Sequence, residues 1–198
     1  MLGDLAARTP VDRTRVYATG MSNGAMLAYR LAVEASDRIA AIAPVAGAMV
    51  VDAFAPTRPV PVMHVHSVDD PRAPYAGGAR WNLRSLTRIE HAAVEATLRK
   101  WVEYDGCPLA SRVDPPIYGT PGAPDARHTA TRLTYGPCRA GTEVVLWKLT
   151  GAGHVWPGAP HTGAEWWLGP PTRVIDATSE MWRFFRRFSR PDAPPLAR

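Results

Sequence analysis

Short apolar runs separated by glycine- and proline-rich turns alternate along this chain with stretches of helical periodicity. Arg15 to Thr19 is β-branched and aromatic, and Ala25 to Ala35 follows with Met26, Leu27 and Leu31 at helical spacing. Ile39 to Val45 is apolar throughout, as in a strand buried on both faces. Val62 to His66 and Glu143 to Leu149 read as two further strands. Leu83 to Tyr104 predicts the longest helix, with Leu83, Leu86, Ala93, Val94, Leu98 and Trp101 on one stripe. Asp176 is the expected N-cap of a last helix, in which Met181, Phe184, Phe185 and Phe188 fall at i, i+3, i+4 and i+7. At the start, Leu2 and Leu5 belong to a helix end that Pro10 stops, and both are expected to face a core. The segment from Cys107 to Gly141 and the Trp- and Gly-rich one from Pro157 to Pro171 read as loops. Strands alternating with helices predict an α/β fold with a mostly parallel sheet.

A length of 198 residues and a 46% apolar content predict a single domain, residues 1–198, with a sizeable core. The formal charge of +5 comes almost wholly from arginines scattered along the chain, with Arg186-Arg187 the densest spot. A nucleic-acid footprint would be clustered, so no nucleic-acid partner is expected. The longest uncharged apolar run, Ile39 to Val51, is too short to span a bilayer and contains Pro44 and Gly47, and Met1 to Pro10 has no apolar leader segment.

In a parallel sheet the loops at the strand C-termini gather on one edge, where ligands bind. Gly20-Met21-Ser22-Asn23-Gly24 joins the first strand to its helix, the setting of a nucleophile elbow, whose turn is expected to admit only glycine at its flanks. Two other strands end in Asp70 and His154, and the order Ser, Asp, His is that of an α/β-hydrolase triad. Serine needs a base to take its proton, and a carboxylate holds that base in the right tautomer. Ser22 is the expected nucleophile, His154 the base, Asp70 the orienting acid and the Asn23 N–H the first oxyanion donor. Asp69 competes with Asp70, which is favoured because Pro71 follows it directly. His161 competes with His154 but has no strand leading into it, and His91 and His128 are expected at the surface. His64 and His66 alternate on one strand face. With Asp69 they superficially resemble a metallo-β-lactamase loop, but the aspartate is one residue late and the final histidine is missing. No metal and no cofactor are expected.

Several motifs carry a resemblance that covers nearly everything from Asp12 to Phe188: the run Arg15 to Met26, Val65 to Asp70, Pro74-Tyr75 with Gly77-Gly78, and Gly153-His154-Val155-Trp156-Pro157-Gly158. The chain resembles the C-terminal two-thirds of polyhydroxybutyrate depolymerase-like esterases, a group of α/β-hydrolases that includes feruloyl and acetylxylan esterase relatives. Ser67-Val68 stands where that group usually has Gly-Thr. The resemblance assigns Ser22, Asp70 and His154 the roles given above. It implies a small or polymeric ester as substrate, and Met21 and Trp156 are expected to line its site. It also implies a Cys107–Cys138 bridge and an extracellular enzyme, although two free buried thiols fit the sequence as well. Trp156, Trp166 and Trp167 suit stacking on an acyl chain or simple loop packing.

The same resemblance predicts an incomplete domain. The elbow strand is usually the fifth of this fold, yet only Met1 to Thr14 precede it here. An exposed sheet edge, self-association through it, a missing second oxyanion donor and weakened turnover are the expected consequences. Three function classes are thus open: a serine esterase, a serine peptidase of the same fold, and a weakly active or non-catalytic remnant that binds a ligand or partner.

Overall fold

The computed structural model describes residues 2–82, 87–160, 163 and 165–190. A short helix α1 (Leu2–Ala6) leads to strand β1 (Tyr17–Met21) and helix α2 (Asn23–Glu34). Strands β2 (Ala41–Val45) and β3 (Val62–Ser67) follow, then a hairpin of β4 (Gly78–Asn82) and β5 (Thr87–His91), then helix α3 (Val94–Tyr104). Two short strands, β6 (Arg112–Val113) and β7 (Ile117–Tyr118), precede the long neighbours β8 (Thr129–Tyr135) and β9 (Val144–Thr150). A single-turn helix α4 (Glu165–Leu168) and α5 (Ala177–Phe185) complete the described elements.

The main sheet has the order β1-β2-β3-β9-β8-β6, with β7 also pairing with β8. Pairs β1–β2, β2–β3 and β3–β9 are parallel, and every pair made by β8 is antiparallel. The fold is therefore α/β, with a mostly parallel sheet and helices on both faces. Alternation along β3 and β9 sorts the core. Met63, Val65, Val145 and Trp147 face α5, where Met181, Phe184 and Phe185 are buried. Val62, Val144 and Leu146 face α2 and α3, packing with Tyr29, Leu98 and Trp101. Among the described residues β1 pairs only with β2, so it forms one edge of the sheet. No helix among the described residues is long and apolar enough to cross a membrane.

Four expectations need correction. The helix predicted from Leu83 begins only at Val94: Thr87 to His91 is a strand, and 83–86 lie outside the described residues. Thr87-Arg88-Ile89-Glu90 alternates β-branched with charged positions, and this two-residue period prevails over the longer leucine stripe. The segment read as irregular after Cys107 contains β8, seven residues long, in full antiparallel register with β9. On α2 the buried face is Ala25, Ala28, Tyr29, Ala32 and Val33, whereas Leu27 and Leu31 are exposed; small side chains let the helix lie close to the sheet. Leu5 is exposed rather than facing a core. In contrast, Asp176 does cap α5, its carboxylate accepting from the Ser179 N–H at 2.7 Å.

Cys107 and Cys138 form a disulfide that ties the end of α3 to the turn between β8 and β9. Closing a loop of 31 residues contributes about 3–4 kcal/mol by chain entropy. Reduction under non-denaturing conditions is expected to lower the thermal midpoint by about 10 °C, as read by circular dichroism with and without reductant.

Asp105 is buried beside this bridge, within reach of the Thr142 hydroxyl. Burial pushes its carboxyl up to about 7, against the opposing hydrogen bonds from Thr142 and the Val60 N–H. Unfolded, it titrates near ~4, so between that pH and about 7 the folded state holds a proton the unfolded chain has lost. Its contribution to stability therefore falls as pH rises through that window. Asp105→Asn is expected to melt several degrees above the parent at pH 8, with the gap closing towards pH 5 in a pH series of thermal melts.

Candidate active site

Ser22 sits between β1 and α2 with φ 57 and ψ −117, a backbone conformation that L-residues rarely adopt. Its N–H donates to the Val45 carbonyl of β2, and its own carbonyl accepts from Ala25 and Met26 N–H, so both flanks of the turn are held. A Cβ on Gly20 would lie 2.7–2.8 Å from the Gly24 backbone, whereas a Cβ on Gly24 would meet nothing within 4 Å. Glycine is thus demanded at one flank only, which corrects the symmetrical expectation. Gly20→Ala is expected to disrupt the turn and lower stability by about 2 kcal/mol or more, while Gly24→Ala, inside a helix, should be neutral or mildly stabilising. Chemical denaturation of the two variants separates these outcomes. Asn23 opens α2, where a first-turn N–H has no acceptor within its own helix.

Asp70 follows the turn after β3 and is fully buried at its side chain. Its Oδ1 accepts from the Arg72 and Ala73 N–H groups at 2.7 and 2.8 Å, and its Oδ2 lies 2.8 Å from His154 Nδ1. Burial alone would push this carboxyl up. The hydrogen bonds from His154, His66 and Ala73 outweigh burial and hold it well below the usual carboxylate range. Asp69 does something else: its Oδ2 accepts from the Gly151 N–H at 2.6 Å and so fastens the loop that carries His154.

His154 lies in the loop after β9, buried, with its N–H on the Leu168 carbonyl and that of Gly153 on the Pro170 carbonyl. Gly153 passes so close to α4 that a Cβ would sit 2.2 Å from the Leu168 oxygen. The loop is thereby pinned between Asp69 and α4. Among the described residues Ser22 Oγ makes no hydrogen bond to His154; such bonds are often long until substrate arrives.

Met21 is half-buried against the core, and Trp156 is half-buried with its indole N–H on Thr178 Oγ1 at 3.1 Å. Trp166 is 85% exposed and Trp167 50%, and the Arg72 guanidinium stacks over Trp167 at 4.0 Å. His161 lies outside the described residues, and His91 ends β5. His128, expected at the surface, is buried under Gly151. The alternation of His64 and His66 is visible in the sequence, but the partners of their ring nitrogens are not. His64 Nδ1 meets Tyr29 OH at 2.9 Å, His64 Nε2 meets His66 Nδ1 at 3.0 Å, and His66 Nε2 meets the Ala73 carbonyl at 2.9 Å. All four ring nitrogens are engaged in hydrogen bonds, and no group of metal-binding side chains occurs among the described residues.

Together these features define an α/β protein with a strained serine on one strand-end loop and a buried histidine–carboxylate pair on two others. No protein-family model matches the chain. It is 32% identical over 146 residues to the bifunctional acetylxylan esterase/xylanase of Neocallimastix patriciarum, covering 73% of this chain and 18% of that protein. It is 30% identical over 171 residues to a protein of Nocardia uniformis subsp. tsuyamanensis that carries the name esterase NocK, covering 80% and 47%. To feruloyl esterase B of Piromyces equi it is 26% identical over 156 residues, covering 76% and 27%. The chain is a relative of the feruloyl esterase-like family, in agreement with the resemblance its motifs carry. It spans under half the length of each of these proteins.

Proposed function

We propose that this chain hydrolyses carboxylic esters through an acyl-enzyme on Ser22, with substrates among hydroxyalkanoate oligomers and polyesters or feruloyl- and acetyl-type esters. The observation that carries the reading is the buried 2.8 Å contact between His154 Nδ1 and Asp70 Oδ2. With Nδ1–H engaged by the carboxylate, Nε2 is the basic nitrogen and takes the Ser22 proton as Oγ attacks the ester carbonyl. The Asn23 N–H donates to the oxyanion that forms. His154 then returns the proton to the departing alcohol, and a water activated by the same nitrogen releases the acid. Asp70 stays ionised throughout and stabilises the imidazolium. No cofactor enters this scheme.

Met21 and Trp156 supply apolar walls, and the exposed Trp166–Trp167 pair beside the His154 loop offers aromatic faces to an acyl or aryl group. The Cys107–Cys138 bridge suits an oxidising, extracellular compartment. Turnover of nitrophenyl esters, methyl ferulate and a hydroxybutyrate trimer, set against peptide anilides, tests the reading. Ester cleavage without anilide cleavage supports it. Anilide cleavage turns it into a peptidase, and no turnover of any of them points to a binding remnant.

A further inference from the structure

Behind Asp70 a line of hydrogen-bonded polar side chains runs into the core. Tyr29 and His64 are 0% exposed and His66 2%. The proton order along this line follows from its fixed end. The Ala73 carbonyl can only accept, so His66 Nε2 carries a proton, and it also lies 3.4 Å from Asp70 Oδ2. With one proton per ring, His66 Nδ1 is an acceptor and His64 Nε2 must donate to it. His64 Nδ1 is then an acceptor in turn and receives the Tyr29 hydroxyl proton. Burial and the neighbouring His66 hold the His64 imidazole well below its ordinary range, and burial holds the Tyr29 phenol well above its own, in keeping with this order. The donors run in one direction and end at the His66 Nε2–H, which bonds the Ala73 carbonyl and lies 3.4 Å from Asp70 Oδ2, so the aligned dipoles bring their positive end beside the carboxylate.

We propose that Tyr29, His64 and His66 are positioning residues for the reaction: a buried relay that holds Asp70 ionised and fixed in the orientation that presents Oδ2 to His154. The proposal rests on the esterase reading of Ser22, His154 and Asp70. The groups that bear on His66 are His64 on its own strand, Tyr29 from α2, Asp70 and Tyr75 from the following loop and His154 from the loop after β9. Tyr75 stands edge-on to its ring at 5.8 Å, with the Lys148–Glu95 pair behind. Loss of the His66 donor leaves the Asp70 charge less compensated. The imidazolium of His154 is then favoured, and the acid limb of the kcat/KM profile moves to higher pH.

Three variants and one spectrum test this. His66→Leu removes the donor, His66→Gln keeps an N–H near the Nε2 position, and Tyr29→Phe removes only the far hydroxyl. His66→Leu is expected to lower kcat by about 10- to 100-fold with KM unchanged and to raise the acid limb. His66→Gln should regain most of the rate, and Tyr29→Phe should lose only a few-fold. Nitrogen-correlated NMR of the imidazoles should find His64 and His66 both protonated on Nε2. A His66→Leu enzyme with parental kcat and pH profile, or a His66→Gln enzyme no better than His66→Leu, would overturn the relay. So would Nδ1 tautomers in an active enzyme. A parent chain that turns over no ester overturns the esterase reading itself, which the NMR arm distinguishes because it needs no activity.

Discussion

Ser22→Ala is expected to lower ester turnover by about 10⁴- to 10⁶-fold and to leave the thermal midpoint within about a degree of the parent. The two halves of this result have separate causes. The hydroxyl is the only group lost, and it makes no hydrogen bond among the described residues on which the turn depends. The turn is held by the backbone: Ser22 N–H to Val45, and Ala25 and Met26 N–H to the Ser22 carbonyl. Alanine tolerates φ 57 no better and no worse than serine, so strain is unchanged. His154→Ala should cost a similar factor, and the double variant little more than either single one, because such residues act as a unit. Steady-state rates on a nitrophenyl ester, together with melts, measure both halves. Independent, multiplying losses would show that Ser22 and His154 do not share one step.

The second large effect separates two adjacent carboxylates. Asp70→Asn is expected to lower kcat by about 10⁴-fold, because an amide in place of Oδ2 no longer selects the tautomer with a proton on Nδ1. Asp69→Asn keeps an acceptor for the Gly151 N–H and should change kcat by only a few-fold, with a modest loss of stability. The pH dependence points the same way. Hydrogen bonds hold the Asp70 carboxyl below its ordinary range in the folded protein, despite its burial. The stability it contributes is therefore complete above about pH 4 and is lost as pH falls towards the folded value. In Asp70→Asn that acid-induced loss should be smaller, as seen in melts between pH 2 and 5. Equal kinetic losses at positions 69 and 70 would refute the division of roles.

Much of this was legible in the chain because β2, β3 and β9, buried on both faces, read as nearly unbroken apolar runs bounded by turn signals, while α5 buries one face and keeps a 3.6-residue period. β2, β3, β9 and α5 were found within a residue or two for that reason, and so was the strand–turn–helix around Ser22, with β1 displaced by two residues. What failed had weaker signals. In Thr87 to His91 a short β period was hidden inside a longer apolar stripe, and β8 mixes threonines with Arg132 because only one of its residues, Ala130, is fully buried. On α2 the visible helical spacing falls on Met26, Leu27 and Leu31, yet alanines and Tyr29 form the buried face, since contact distance to a sheet is set by the smallest side chains. The alternation of His64 and His66 was visible. Their partner Tyr29, thirty-five residues from His64, was not, because a tertiary hydrogen bond leaves no local pattern.

Ser22 is proposed as the nucleophile and His154 as its base. Intact-mass and peptide mapping after treatment with a fluorophosphonate tests this assignment most directly. One adduct per chain, on Ser22, absent in Ser22→Ala and formed far more slowly in His154→Ala, is the predicted result. An adduct on another residue, or unmodified Ser22 in a preparation that cleaves esters, would contradict it.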